Sequence, residues 1–176
     1  MTEFFECKDV ALEDWVSEAA ALKDRGYTYF NFLTAVDQMD QTGEGQVAGF
    51  DIVLHCYDCS SPRDLKESMI RTRVPATGSI ASITGVFRGA AWHERETYEM
   101  FGVTFDGFDD GTGLGIRPLL LPNGFEGHPW RKDFVLTARV SKDWPGAKEP
   151  GESAGGGHTR RKMAPPGLPD PSWGPR

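Results

Sequence analysis

His55-Cys56-x-x-Cys59 has metal-ligand spacing, because two thiolates two residues apart can share a zinc or iron ion. A single pair supplies half of such a site. No second Cys-x-x-Cys exists, strand alternation would send His55 and Cys56 to opposite faces, and Cys7 is far away in sequence. The expectation is a half-buried strand end with reduced thiols and no metal. Asp106-x-x-Asp109-Asp110-Gly111 places a glycine at the sixth position of a calcium loop, but Phe108 stands third and Arg117 twelfth, where carboxylates are needed. Gly111-Thr112-Gly113-Leu114-Gly115 lacks the dinucleotide-binding spacing and runs into Arg117-Pro118 instead of a helix, so NADH is not expected here. His93, Glu94, Glu96 and His128 carry groups suited to acid–base catalysis, yet adjacent helical positions diverge and the sequence shows no pocket to shift their pKa values. With no nucleophile elbow or phosphate loop either, the catalytic residues are none, and an autonomous small enzyme and a metal-binding module stand as alternatives.

The positioning elements come next. Apolar residues at 12, 15, 16, 19 and 22 predict a helix over 11–23 that stops at Gly26. Residues 27–36 read as a strand, 40–45 as a turn, and a second strand begins near Val47 with Phe50, Ile52, Leu54 and Cys56 on its core face. Residues 65–74 are ambiguous between helix and strand, and 82–88 form a plausible short helix before Gly89. The segment Trp92 to Phe105 is a charged helix over 91–101, closed by Gly102 and followed by a short strand. Arg95 and Glu99, at i and i+4, are placed to form an ion pair, with Tyr98 and Phe101 offering aromatic surface to a core. The whole predicts a single α+β domain over 1–142, a mixed sheet with helices packed mainly on one side.

Composition narrows the class. The chain has 176 residues, 39% of them hydrophobic, which is enough for a core. A net charge of −7 argues against nucleic acid as a partner. Its longest apolar runs, such as 52–54 and 119–121, are far below the ~20 residues of a membrane helix. The acidic N-terminus lacks secretory-signal features, so a cytoplasmic chain is expected.

Glu94-Arg95-Glu96-x-Tyr98-Glu99-Met100-Phe101-Gly102-Val103-x-Phe105 resembles the signature of the C subunit, the thirty-kilodalton subunit of the proton-pumping NADH:quinone oxidoreductase, respiratory complex I. A second block follows in the right order: Arg117-Pro118-Leu119-Leu120-Leu121-Pro122, then Gly127-His128-Pro129-Trp130-Arg131-Lys132-Asp133-Phe134, is similar to the family's Leu-Leu segment and Gly-His-Pro-x-Arg-Lys-Asp-aromatic run. The resemblance spans roughly residues 10 to 140. It implies a strand at 65–74. It also implies a cofactor-free scaffold of the peripheral arm, which contacts the cytoplasmic face of the membrane only through the complex. FMN and iron–sulfur clusters would sit in other subunits, and the partners would be subunits B, D and I. Docking and orienting would fall to Glu94, Arg95, Glu96, Tyr98, Phe101 and Gly102, with His128, Arg131, Lys132 and Asp133. One departure stands out: where the family continues from the aromatic strand through Gly-His-Pro, this chain has residues 107–116, Gly-Phe-Asp-Asp-Gly-Thr-Gly-Leu-Gly-Ile. That departure leaves open an equivalent subunit of a related membrane-bound hydrogenase or F420H2 dehydrogenase.

From Pro145 on, 14 of 32 residues are Gly or Pro, a composition that builds no core of its own. Residues 143–176 are therefore expected to be an extended or disordered partner-binding tail, with Trp144, Arg160, Arg161 and Trp173 as anchors.

Overall fold

The computed structural model describes residues 7–41, 47–61 and 63–135. Its compact unit runs from Met1 to Phe134; the expected tail and its anchors Trp144, Arg160, Arg161 and Trp173 lie outside the described residues. Strand β1 (Cys7–Asp9) and a 3-10 turn (Leu12–Asp14) lead into helix α1 (Trp15–Asp24). Then come β2 (Tyr29–Asp37), β3 (Gly49–Asp58), β4 (Lys66–Pro75), β5 (Ser79–Ala81), α2 (Ala90–Phe101) and β6 (Thr104–Asp106). The main sheet has the order β1-β4-β3-β2, with β1 parallel to β4 and the other pairs antiparallel; β5 and β6 pair in parallel separately.

This is the α+β architecture the sequence predicts, a mixed sheet with both helices on one face. Trp15, Ala19 and Leu22 of α1 and Ala90, Met100 and Phe101 of α2 share one core with Phe50, Ile52, Leu54 and Cys56 of β3. Residues 65–74 resolve as strand, since their even-numbered members Ile70, Thr72 and Val74 are buried in register opposite Leu54, Ile52 and Phe50. Burial on the other face of β3 is a difference from expectation: Asp51, Val53 and His55 are also buried. As a central strand, β3 has its outer side chains hemmed in by register neighbours, His55 between Phe32 and Met69 and Asp51 between Val36 and Arg73.

The short helix expected over 82–88 does not form. Residues 84–86 make a turn in which Val86 and Phe87 both donate to the Ile83 carbonyl, at 2.9 and 2.8 Å. The Ile83 amide goes to a carboxylate of α2 instead of starting a ladder.

Candidate functional site

The last four carbonyls of an α-helix have no partner within it. On α2 all four are taken. Gly102 N–H donates to Tyr98 O at 2.8 Å, His128 Nδ1–H to Glu99 O at 2.9 Å, Trp130 N–H to Met100 O at 3.1 Å and Arg131 Nε–H to Phe101 O at 2.5 Å. A carbonyl only accepts, so Nδ1 carries the proton of His128. The Gly-His-Pro-Trp-Arg block is thus a cap for the signature helix, and the Arg131 cation sits where the helix dipole favours it.

Gly102 is required by this close fit. Its φ is +76°, the left-handed region in which side-chain-bearing residues are strained, and a Cβ would come within 2.5 Å of both His128 Nε2 and Arg131 Nη2. Arg131 also stacks over Phe50, 5.1 Å from the ring centroid, while Phe101 meets Phe50 and Trp130 edge-on. Further along, Lys132 N–H donates to Asp37 at 2.8 Å and Lys132 Nζ pairs with Asp40 at 2.9 Å, tying the block to the end of β2. Asp133 is exposed and has no hydrogen bond or ion pair among the described residues.

The outer face of α2 holds a second segment. Arg95 donates to the carbonyls of Arg117 and Pro118, at 3.2 and 2.7 Å, and lies 5.5 Å from the Trp92 ring. Glu99 accepts three successive amides, Leu119 at 3.1 Å, Leu120 at 2.6 Å and Leu121 at 3.0 Å. The expected Arg95–Glu99 ion pair is therefore absent. Each charge satisfies the backbone of residues 117–121, whose groups would otherwise be stranded against the helix without partners. So held, this strap turns Leu120 outward, with Leu114, Phe125, Trp92 and Trp130 also exposed.

Glu94 faces the opposite way. Fully buried, it accepts Ser82 Oγ–H at 2.7 Å and Ile83 N–H at 2.8 Å, and burial pushes its carboxyl up to about 7 against the lowering effect of those two donors. It cannot touch a partner, and among the described residues no cation faces it in an ion pair. Glu96 is half-buried, with no hydrogen bond or ion pair among the described residues. His93 Nδ1–H donates to Leu33 O of the edge strand β2 at 3.1 Å. Of the four suggested acid–base residues, His93, Glu94 and His128 thus have separate partners and Glu96 has none among the described residues, so they form no common site.

The other candidates resolve without a ligand set. Cys56 is buried in the core, its thiol pushed up to about 12, while Cys59 is exposed. Among the described residues no group of three His, Cys, Asp or Glu side chains is placed to hold a metal ion. Asp110 turns to Thr112 and Arg117, which hold its carboxyl down at about 2.

A family model described as "Respiratory-chain NADH dehydrogenase, 30 Kd subunit" matches residues 9–140, three-quarters of the chain. The chain belongs to this family. The C subunit of the NADH-quinone oxidoreductase of Mesorhizobium japonicum is 39% identical over 109 residues, 62% of this chain and 50% of that protein. The Candida albicans protein named NADH dehydrogenase [ubiquinone] iron-sulfur protein 3, mitochondrial, is 41% identical over 60% of this chain and 33% of its own length. The chain thus spans about half the length of the first relative and a third of the second. A solved structure, "Nqo5 of the trypsin-resistant fragment (1-134) in P63 form", shares the fold with a TM-score of 0.51 at 21% identity, covering 59% of this chain and 80% of that one. Among the described residues no helix is long and apolar enough to cross a membrane.

Reading the family blocks as text missed three contributors: the triple-amide grip of Glu99, the Ser82 partner of Glu94 and the Asp37 anchor of Lys132. Glu99 carried a signal, an acidic residue inside the motif, but its target lies about twenty residues downstream. Asp37 lies 95 positions from Lys132 and carried none.

Proposed function

We propose that this chain is a cofactor-free scaffold subunit of the peripheral arm of a proton-translocating NADH:quinone oxidoreductase, supporting electron transfer from NADH to quinone without an active site of its own. One observation carries the reading. The two family blocks converge on backbone groups, four helix-end carbonyls and the strap's amides and carbonyls, so their chemistry is spent on shape. What that shape presents is apolar: Leu114, Leu120, Phe125 and Trp130. Apolar side chains held outward on a rigid support suit a permanent protein interface.

In this reading the partners are subunits B, D and I, and FMN and the iron–sulfur clusters reside in other subunits. The chain sits on the cytoplasmic face of the membrane through the complex alone. Arg95, Gly102, His128, Arg131 and Lys132 orient the docking surface; Glu94, Tyr98 and Phe101 seat the helix; Glu96 and Asp133 are free to meet a partner. Residues 143–176 form a partner-binding extension beyond the domain at 1–142, a role supported by their composition and by Trp144, Arg160, Arg161 and Trp173.

Affinity purification of the tagged chain from its host in mild detergent, with identification of co-purifying proteins, tests this. Recovery of subunits B, D and I together with NADH-oxidising subunits is expected, and Leu120→Asp should reduce it. A hydrogenase large chain or F420H2-oxidising subunit in their place would select the related complexes. A lone chain with turnover on a small substrate would overturn the scaffold.

A further inference from the structure

Glu94 sits in a network that reaches from the core to an outer loop. Ser82 Oγ, its partner, lies 2.8 Å from Thr84 Oγ1 and accepts the Thr84 amide at 3.2 Å; Thr84 Oγ1 in turn accepts the Asp109 amide at 3.3 Å. Four chain segments meet here: α2 through Glu94, the turn after β5 through Ser82, Ile83 and Thr84, the end of β6 through Ser82 N–H to Asp106 O at 2.8 Å, and the following loop through Asp109.

The two hydroxyls let this network exist in two hydrogen-bond senses. With Glu94 ionised, Ser82 donates to it and Thr84 donates to Ser82. When Glu94 binds a proton from solvent, its O–H donates to Ser82 Oγ and Ser82 donates onward to Thr84 Oγ1. The contacts joining Glu94, Ser82 and Thr84 are kept in either sense, but only the protonated form avoids a buried charge. Apart from Glu96, the charged groups of the surrounding elements are engaged elsewhere or exposed. On α2, His93 bonds Leu33 O, Arg95 holds the strap, Glu99 takes its amides, and Glu96 is half-buried without an ion pair among the described residues. Asp106 pairs with Ser79, Asp109 accepts Gly111 N–H, and Asp110 pairs with Arg117. Lys23 of α1 donates to Val86 O, and Arg88 is exposed.

We propose that Glu94, Ser82 and Thr84 form a proton-operated latch, which fastens the turn at 82–84 and the loop at Asp109 to α2 more tightly when Glu94 carries a proton. The latch is a property of the chain itself, so its test does not depend on the scaffold reading.

The sign follows from linkage. Burial raises the Glu94 carboxyl from 4.5 to about 7, so the closed form keeps a proton that an open or unfolded form releases. The stabilisation is complete below about 4.5 and is lost as pH rises toward 7, where the closing constant falls by about tenfold per pH unit.

In the full chain, amide exchange at Ile83, Thr84 and Asp109 should be compared between wild type and Glu94→Gln. The variant copies the protonated acid, its amide oxygen accepting Ile83 N–H and its NH2 donating to Ser82. The wild-type to variant rate ratio should climb on the order of a hundredfold from pH 5 to pH 7 and then level off. Carboxyl-carbon NMR of wild type, which needs no variant, should show Glu94 titrating near neutrality. Ser82→Ala, which removes one donor to the carboxylate, should move that midpoint higher. A ratio independent of pH, or a Glu94 midpoint near 4.5, overturns the latch.

Discussion

Arg95 and Glu99 lie one turn apart on α2 and grip adjacent parts of a single strap, the arginine holding the carbonyls of Arg117 and Pro118 and the glutamate the amides of Leu119, Leu120 and Leu121. A carboxylate in a nest of three amides and a guanidinium on two carbonyls are both charge-assisted contacts, each stronger than a neutral hydrogen bond. Together they fix backbone direction over five residues that belong to no helix or strand.

Removing either grip should loosen the strap before it unfolds the domain. Hydrogen bonds to charged groups contribute ~1.5–3 kcal/mol each, and bonds sharing one carboxylate do not add fully, so Glu99→Ala should cost about 3 kcal/mol. At about 2–4 °C per kcal/mol for a chain of this size, thermal unfolding should shift down by roughly 6–12 °C. Limited proteolysis should show new cleavage near Leu120. Unchanged cleavage between residues 113 and 126 would mean that other contacts hold the strap.

Gly102 offers a sharper contrast. In Gly102→Ala the left-handed φ of +76° costs ~1–2 kcal/mol, and His128 and Arg131 must also move away from the new Cβ, which removes helix-end caps. A total near 3 kcal/mol is expected by denaturant titration. Gly85, with nothing within 4 Å of an added methyl and no positive φ, is the control: Gly85→Ala should stay within about 0.5 kcal/mol.

The cysteines give a chemical test. Cys56 is fully buried with its thiol held protonated, whereas Cys59 is exposed, so iodoacetamide at pH 8 should label Cys59 quickly and leave Cys56 unmodified by mass spectrometry. The purified chain should also carry no stoichiometric iron or zinc. Metal retained through chelation and lost in Cys56→Ser would overturn the cofactor-free reading.

Much of this was legible locally. The spacing of Trp15, Ala19 and Leu22 wrote α1, alternation wrote the core face of β3, and Gly102 marked the end of α2, because each depends on contacts a few residues apart. Residues 82–88 misled, since their turn is set by Glu94 capturing the Ile83 amide from α2. Strand β1 went unread at the sequence level: three residues, Cys7 to Asp9, carry too little pattern and gain their conformation by pairing with Met69, Ile70 and Arg71 of β4.

By itself the sequence determined family, fold class and the two blocks that matter, because side-chain periodicity and motif order are properties of the chain as a string. Tertiary structure alone decided what those blocks do to each other. The string puts Arg95 four residues from Glu99 and invites an ion pair. In the folded chain both side chains are buried against the strap, and satisfying its amides and carbonyls outweighs an i,i+4 ion pair, worth about 0.3–0.5 kcal/mol on a solvated helix face. Likewise His128 and Arg131, about thirty residues downstream, become helix caps only because the chain turns back to the end of α2, where four carbonyls wait for donors.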